Sequence, residues 1–147
     1  MGYRSDVKII VSREGYRELK DYVERECIKY QKPDSDYDFN LLKIADGLRT
    51  DGDQVVISWD DVKWYDGYYN DVDVVVNGLE HLAAKGYSYR FYRVGESYED
   101  IEETCIDGEL DQDLDYFYIV RYIDDDCIGG KPMSYDEFDN CNFKGGE

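Results

Sequence analysis

Apolar and polar residues alternate along Tyr3–Val11, with Val7, Ile9 and Val11 on one face and Asp6, Lys8 and Ile10 on the other. This period of two predicts a strand, and Ile10 breaks the alternation as a strand buried on both faces near its end would. The period then changes to three and four: Tyr16, Leu19, Tyr22, Val23, Cys27 and Tyr30 form an apolar stripe. Ser12 is placed to cap that helix and Glu14 lies in its first turn, while Pro33 predicts an end near Gln31. Leu41–Ala45 is apolar but too short for its period to separate a strand from a helical turn. Thr50–Asp53 reads as a turn, followed by a strand over Gln54–Trp59 with Val55, Ile57 and Trp59 alternating. Beyond it the parity shifts to Val62 and Trp64, which predicts a bulge or tight turn at Asp60-Asp61.

Val72, Val75, Val76, Leu79, Leu82 and Ala83 predict a second helix over Asp71–Lys85 with Gly86 as its C-cap. The competing reading, a hairpin turn at Asn77-Gly78, lacks a strand-like run after the glycine. Tyr87–Val94 predicts a strand, Ile101–Ile106 a shorter one and Tyr116–Ile123 a strong one. Met133–Phe138 adds a helical turn, and residues 142–147 form a loosely ordered end. Together these elements predict a single α+β domain over residues 1–147, with one mixed or antiparallel sheet of about five strands and two helices packed on one face.

Charge changes the picture of what such a domain does. The 147 residues carry 35 Asp and Glu against 17 Lys and Arg, a formal net charge of −18. The excess lies beyond Lys32: residues 1–32 hold eight basic and six acidic residues, and Val94–Val120 holds ten carboxylates with no lysine or arginine. Such a field disfavours direct binding of nucleic acid or anionic membranes and attracts basic proteins and cations. No apolar run approaches the roughly 20 residues of a bilayer span. Four widely spaced cysteines, Cys27, Cys105, Cys127 and Cys141, form no CxxC pair, so reduced thiols and a cytoplasmic location are expected.

Candidate chemistry is sparse. Every second residue of Asp107-Gly108-Glu109-Leu110-Asp111-Gln112-Asp113-Leu114-Asp115 is acidic, which in an extended segment puts five carboxylates about 7 Å apart on one side. The run lacks the glycine and terminal glutamate of a calcium loop. His81 is the lone histidine and lies on the polar flank of the second helix, without the partners of a zinc site. No phosphate-binding glycine loop is present, and no catalytic residue, cofactor or metal is assigned. Tyrosine is abundant, at 16 residues, and many stand among carboxylates. Tyrosines in that setting suit an interface that receives arginine and lysine. In WDDVKWYDGY, residues 59–68, the tryptophans read as anchors on either side of the bulge, Lys63 as a pairing partner for Asp60 or Asp61, and Tyr65 and Tyr68 as an aromatic recognition edge.

The opening Met1-Gly2-Tyr3-Arg4-Ser5-Asp6-Val7, the Trp59–Tyr68 segment and Val94-Gly95-Glu96-Ser97-Tyr98-Glu99-Asp100-Ile101-Glu102 resemble short acidic proteins encoded by phages and prophages. The resemblance spans roughly residues 1–106 and carries no catalytic residue. It implies an inhibitor of host defence, anti-CRISPR or anti-restriction, that sets carboxylates where DNA phosphates would lie. The expected partner is a basic nucleic-acid-binding protein or nuclease of the host, with self-association left open. The expected contact residues are Glu96, Glu99, Asp100, Glu102, Glu103, Asp107, Glu109, Asp111, Asp113, Asp115, Asp124, Asp125 and Asp126, with Trp64, Tyr65, Tyr68 and Tyr98 as aromatic anchors. The alternatives are a metal-dependent hydrolase using Asp60, Asp61 and Asp124–Asp126, and a phage accessory or assembly protein.

Overall fold

The structure, a computed structural model, describes residues 3–65, 67, 69–111, 113–119 and 122–140, with residues 139 and 140 described for their backbone only. The first strand, β1 (Ser5–Ser12), runs straight into α1 (Arg13–Cys27). Ser12 is extended, and its hydroxyl accepts the Gly15 amide at 3.0 Å, satisfying a helix donor that has no partner within the helix. The helix stops at Cys27, short of the expected Gln31. There the Gln31 side chain turns to the next loop, donating to the Tyr37 carbonyl and accepting from the Phe39 amide, both at 2.8 Å. Tyr30 is accordingly exposed rather than part of the buried stripe.

Leu41–Ile44 forms turns that bury Leu41 and Leu42. A hairpin follows, β2 (Gly47–Asp51) and β3 (Gln54–Val62), then α2 (Asn70–Lys85), β4 (Tyr89–Gly95) and β5 (Ile101–Ile106). As the sequence predicts, α2 closes at Gly86, whose φ of +98° is the left-handed conformation glycine adopts at least cost. The valines of α2 are helical because one face of the helix is buried. Gly78 is what permits the approach of α1: a Cβ there would lie 2.6 Å from Leu19 Cδ1. This close crossing, not a turn, explains the Asn77-Gly78 pair. Among the described residues, no helix is long and apolar enough to cross a membrane.

The expected single sheet of about five strands with two helices is corrected in three respects. The main sheet has six strands in the order β5-β4-β1-β3-β2 and then a strand at Lys131–Pro132, with every neighbouring pair antiparallel. Its last strand, β8 (Lys131–Pro132), has only two residues and pairs with β2 at Arg49 and Thr50. Tyr116–Ile123 is not one strand: β6 (Tyr118–Ile119) and β7 (Ile123–Asp124) form a separate ribbon, and α3 (Tyr135–Asn140) is a third helix. The physical reason lies on the sheet's second face. Helices α1 and α2 cover Val7, Ile9, Val11, Val55, Ile57, Trp59 and Phe91. Ile10, Val56, Tyr92 and Val94 point the other way and are covered by Leu114, Phe117, Ile123 and Ile128. Each such side chain withdrawn from water contributes about 1.5–3 kcal/mol, so apolar residues of the acidic segment fold over the face rather than extending along an edge. The Phe117 amide is satisfied by the Tyr92 hydroxyl at 3.0 Å instead of by a strand ladder.

The bulge stands where the parity shift puts it. Val7 faces Trp59 but Ser5 faces Val62, so β3 uses one extra residue, and Asp61 has a φ of +55°. Bulging turns Trp59 and Trp64 into one core: their ring centroids are 5.3 Å apart, and Trp64 also meets Phe91.

Candidate binding surfaces

At the start of β1 the chain is tied to the β4–β5 turn by carboxylates. The Tyr3 hydroxyl donates to Asp100 Oδ2 at 2.7 Å and accepts the Ser97 amide at 2.8 Å. The Tyr3 amide donates to the Tyr65 hydroxyl and the Arg4 amide to Glu96. Arg93 forks onto Asp100, with N–O distances of 3.0 and 2.7 Å, and reaches Glu102 at 2.9 Å. Those bonds from Arg93, helped by Tyr3, hold the Asp100 carboxyl below its usual range, and Asp100 in turn raises the Arg93 guanidinium's pKa. Of this turn's residues, Glu99 and Tyr98 face solvent, Tyr98 at 74% exposure. Glu103 stands exposed on β5, which lies at one edge of the sheet.

The alternating acidic run does not present five carboxylates on one side. Arg90, only 1% exposed, projects from β4 beneath the run. It binds Asp107 at 2.7 Å, the Ile106 carbonyl at 3.0 Å and the Leu114 carbonyl at 3.3 Å, and it stacks 4.2 Å from the Tyr116 ring. Asp111 turns inward, accepting from the Ser12 hydroxyl and the Ser88 amide. Asp115 pairs with the Gln54 side chain in both directions, at 2.9 and 2.6 Å. Glu109 and Asp113 remain exposed, the latter at a φ of +68°. In the next acidic run Asp125 is internal, bound by Lys8 at 3.0 Å and Arg49 at 2.7 Å. Asp124 is half-buried and accepts the Asp126 amide at 3.2 Å, while Asp126 itself is exposed. Around these residues Tyr116, Tyr118 and Tyr122 are exposed.

Two of the expected aromatic anchors are placed differently. Trp64 is 5% exposed and packs in the core, because the bulge swings it inward. Tyr65 is half-buried, bound to Tyr3 and packed 5.0 Å from the Tyr69 ring. Tyr68 lies outside the described residues.

One concavity was not read from sequence as one site. A cleft of about 660 Å³ opens where the bulge, the loop after α1 and the start of α2 meet. Tyr37, Phe39, Trp59 and Tyr69 supply aromatic walls, and Asp46, Asp60, Asp61 and Asp71 supply carboxylates. Arg4 and Lys63 also line it, but neither pairs with those acids among the described residues, so the expected Lys63 pair with Asp60 or Asp61 is absent there. Arg4 instead donates to the Asp61 carbonyl at 3.1 Å. Two of the aspartates are fixed by neutral donors: Asp46 accepts the Asp60 amide at 2.6 Å, and Asp71 accepts the Tyr37 hydroxyl and the Val72 amide. Burial, with Asp71 adding to it, pushes the Tyr37 hydroxyl's pKa up, so Tyr37 stays a donor. The signal that could have located this cleft is the aromatic-spiked loop Tyr37-Asp38-Phe39 alongside WDDVK.

Other reactive groups are quiet. Burial raises the described thiols, with Cys27 pushed up to about 11 and Cys105 and Cys127 also raised, so none is a ready thiolate near neutral pH. His81 stacks on Tyr22 at 4.9 Å and meets Glu18 at 3.3 Å. Among the described residues no three His, Cys, Asp or Glu side chains gather as a metal ion requires, and Asp60, Asp61 and Asp124–Asp126 form no such group. Comparison of the chain with protein-family models, with curated proteins and with solved structures finds no match.

Proposed function

We propose that this chain is a noncatalytic binding protein that occupies the basic, nucleic-acid-binding cleft of a partner by setting carboxylates where phosphates would lie. The observation that carries this reading is how the fold sorts its charge. On the sheet's second face and its β4–β5 edge, Lys8 and Arg49 share Asp125, Arg90 pairs with Asp107, and Arg93 with Asp100 and Glu102. The cations are thus spent inside. Glu99, Glu103, Glu109, Asp113 and Asp126 are left facing water, with Tyr98, Tyr116, Tyr118 and Tyr122 exposed on the same segments. Exposed carboxylates interleaved with amphipathic rings suit lysine- and arginine-rich surfaces, through ion pairs and cation–π contacts. The resemblance of residues 1–106 to phage-encoded acidic proteins makes a host defence nuclease the partner to seek.

The test is retention of a basic nuclease from bacterial lysate at low salt, followed by measurement of Kd for the purified pair. Kd is expected to rise at least about tenfold between roughly 50 and 200 mM salt, because exposed charges are screened over a shorter distance as salt increases. The combined Glu99→Gln, Glu103→Gln and Asp113→Asn variant should bind more weakly and lose part of that salt dependence. A Kd indifferent to both salt and these substitutions would contradict the proposal.

A further inference from the structure

We infer that the cleft between the β3 bulge and the start of α2 is a binding site for an organic cation carried on an apolar stem, a guanidinium or a primary ammonium. It is separate from the exposed carboxylates of residues 99–126 and does not depend on the partner proposed for them. Its volume of about 660 Å³ lies within the range of small-molecule sites. Three of its lining side chains, Tyr37, Ile44 and Tyr69, are large, apolar and exposed although they ring a concavity. That arrangement leaves apolar surface in water, which an occupant would remove.

The electrostatics select the occupant's sign. Four aspartates against Arg4 and Lys63 leave the lining with a formal charge of −2, and none of the four makes an ion pair among the described residues. Asp71 is the sharpest case: it is 7% exposed, and its contacts are a tyrosine hydroxyl and a backbone amide rather than a cation. A buried carboxylate satisfied only by neutral donors is favourably completed by a charge-assisted bond. The aromatic walls narrow the choice further. Ring faces attract alkylammonium and guanidinium groups, whereas a hard metal ion needs converging oxygens, which the described residues of this site do not gather.

Trp59 lines the cleft, so its fluorescence provides the readout. The probes are agmatine, Nα-acetyl-arginine amide as a surrogate for a protein side chain, and neutral butylurea of similar length. Agmatine or the arginine amide is expected to give a saturable change with a Kd of about 1 mM or tighter, and butylurea at least about tenfold weaker binding. Tighter binding of the arginine amide would identify the occupant as a partner's side chain, and tighter binding of agmatine as a free amine. Both outcomes keep the site.

The Asp60→Asn, Asp61→Asn double variant is expected to weaken cation binding at least about fivefold. Both positions are exposed, and asparagine tolerates the left-handed backbone at 61, so the fold is retained. Tyr69→Leu, which keeps apolar volume but removes the ring face, should weaken it about two- to fivefold. Absence of saturation, equal binding of butylurea, or unchanged binding by the folded double variant would overturn the inference. None of these results requires or tests the nuclease partner, so the two proposals fail independently.

Discussion

Trp59→Ala is expected to destabilise the protein by about 3–5 kcal/mol, a large share of the roughly 5–15 kcal/mol that a domain of this size holds. Trp59 is among the largest fully buried side chains and joins three parts of the fold. Its ring packs on Trp64 at 5.3 Å, and its indole N–H donates to the Leu41 carbonyl at 2.8 Å. It thereby fixes the turn at Leu41–Ile44 against β3. Alanine would leave a cavity and a buried carbonyl without its donor, two costs that add. Trp59→Phe keeps most of the packing but not the hydrogen bond and should fall between alanine and wild type. Urea denaturation followed by far-UV circular dichroism measures both, since tryptophan emission itself changes with the substitution. A loss below about 1 kcal/mol for alanine would show that the two tryptophans do not anchor the sheet.

Asp125→Ala is expected to cost about 2–3 kcal/mol, less than a fully buried pair because its side chain is 20% exposed. The substitution leaves Lys8 and Arg49 facing each other on the sheet's second face without their shared carboxylate. Arg49 keeps its bonds to the backbone carbonyls of Asp125 and Ile128, so the loss is that of the carboxylate itself. The pH dependence carries a definite sign. Burial raises the Asp125 carboxyl, but the bonds from Arg49 and Lys8 outweigh it, and the net pKa is below the ordinary value. A depressed folded-state pKa contributes stability that is present above the unfolded pKa and lost as pH falls through the folded one. The gap between wild type and Asp125→Ala should therefore be full near neutral pH and close progressively below about pH 4. Paired urea titrations across that range measure it, and a gap constant with pH would remove Asp125 as the acid-sensitive clasp.

What could be read from the chain and what could not divide along physical lines. The strand β1, the helix α2 with Gly86 and the bulge at Asp60-Asp61 were legible because each leaves its own local period or break in period. β2 and β8 were not, since Gly47-Leu48-Arg49-Thr50-Asp51 and Lys131-Pro132 have little alternation and become strands only by pairing with what the fold brings beside them. Tyr116–Ile123 misled for the opposite reason: its apolar residues were needed to cover Ile10 and Tyr92, a demand that local sequence does not encode. The same holds for the carboxylates. Asp111 meets Ser12 across 99 positions and Asp125 meets Arg49 across 76, so a run that looks uniformly available is in fact divided between internal bonds and solvent. The cleft unites residues 37–46, 59–63 and 69–71, and only its aromatic and acidic composition was visible beforehand.

The proposed occupation of a nucleic-acid cleft is tested most directly by competition on the nuclease retained at low salt. A fluorescently labelled duplex is bound to that nuclease, and its anisotropy is followed as this protein is added, with complex formation monitored in parallel. Release of the duplex in step with complex formation, weakened by added salt and by the combined Glu99→Gln, Glu103→Gln and Asp113→Asn substitutions, is the expected result. A ternary complex in which the duplex stays bound while this protein saturates the nuclease would contradict it.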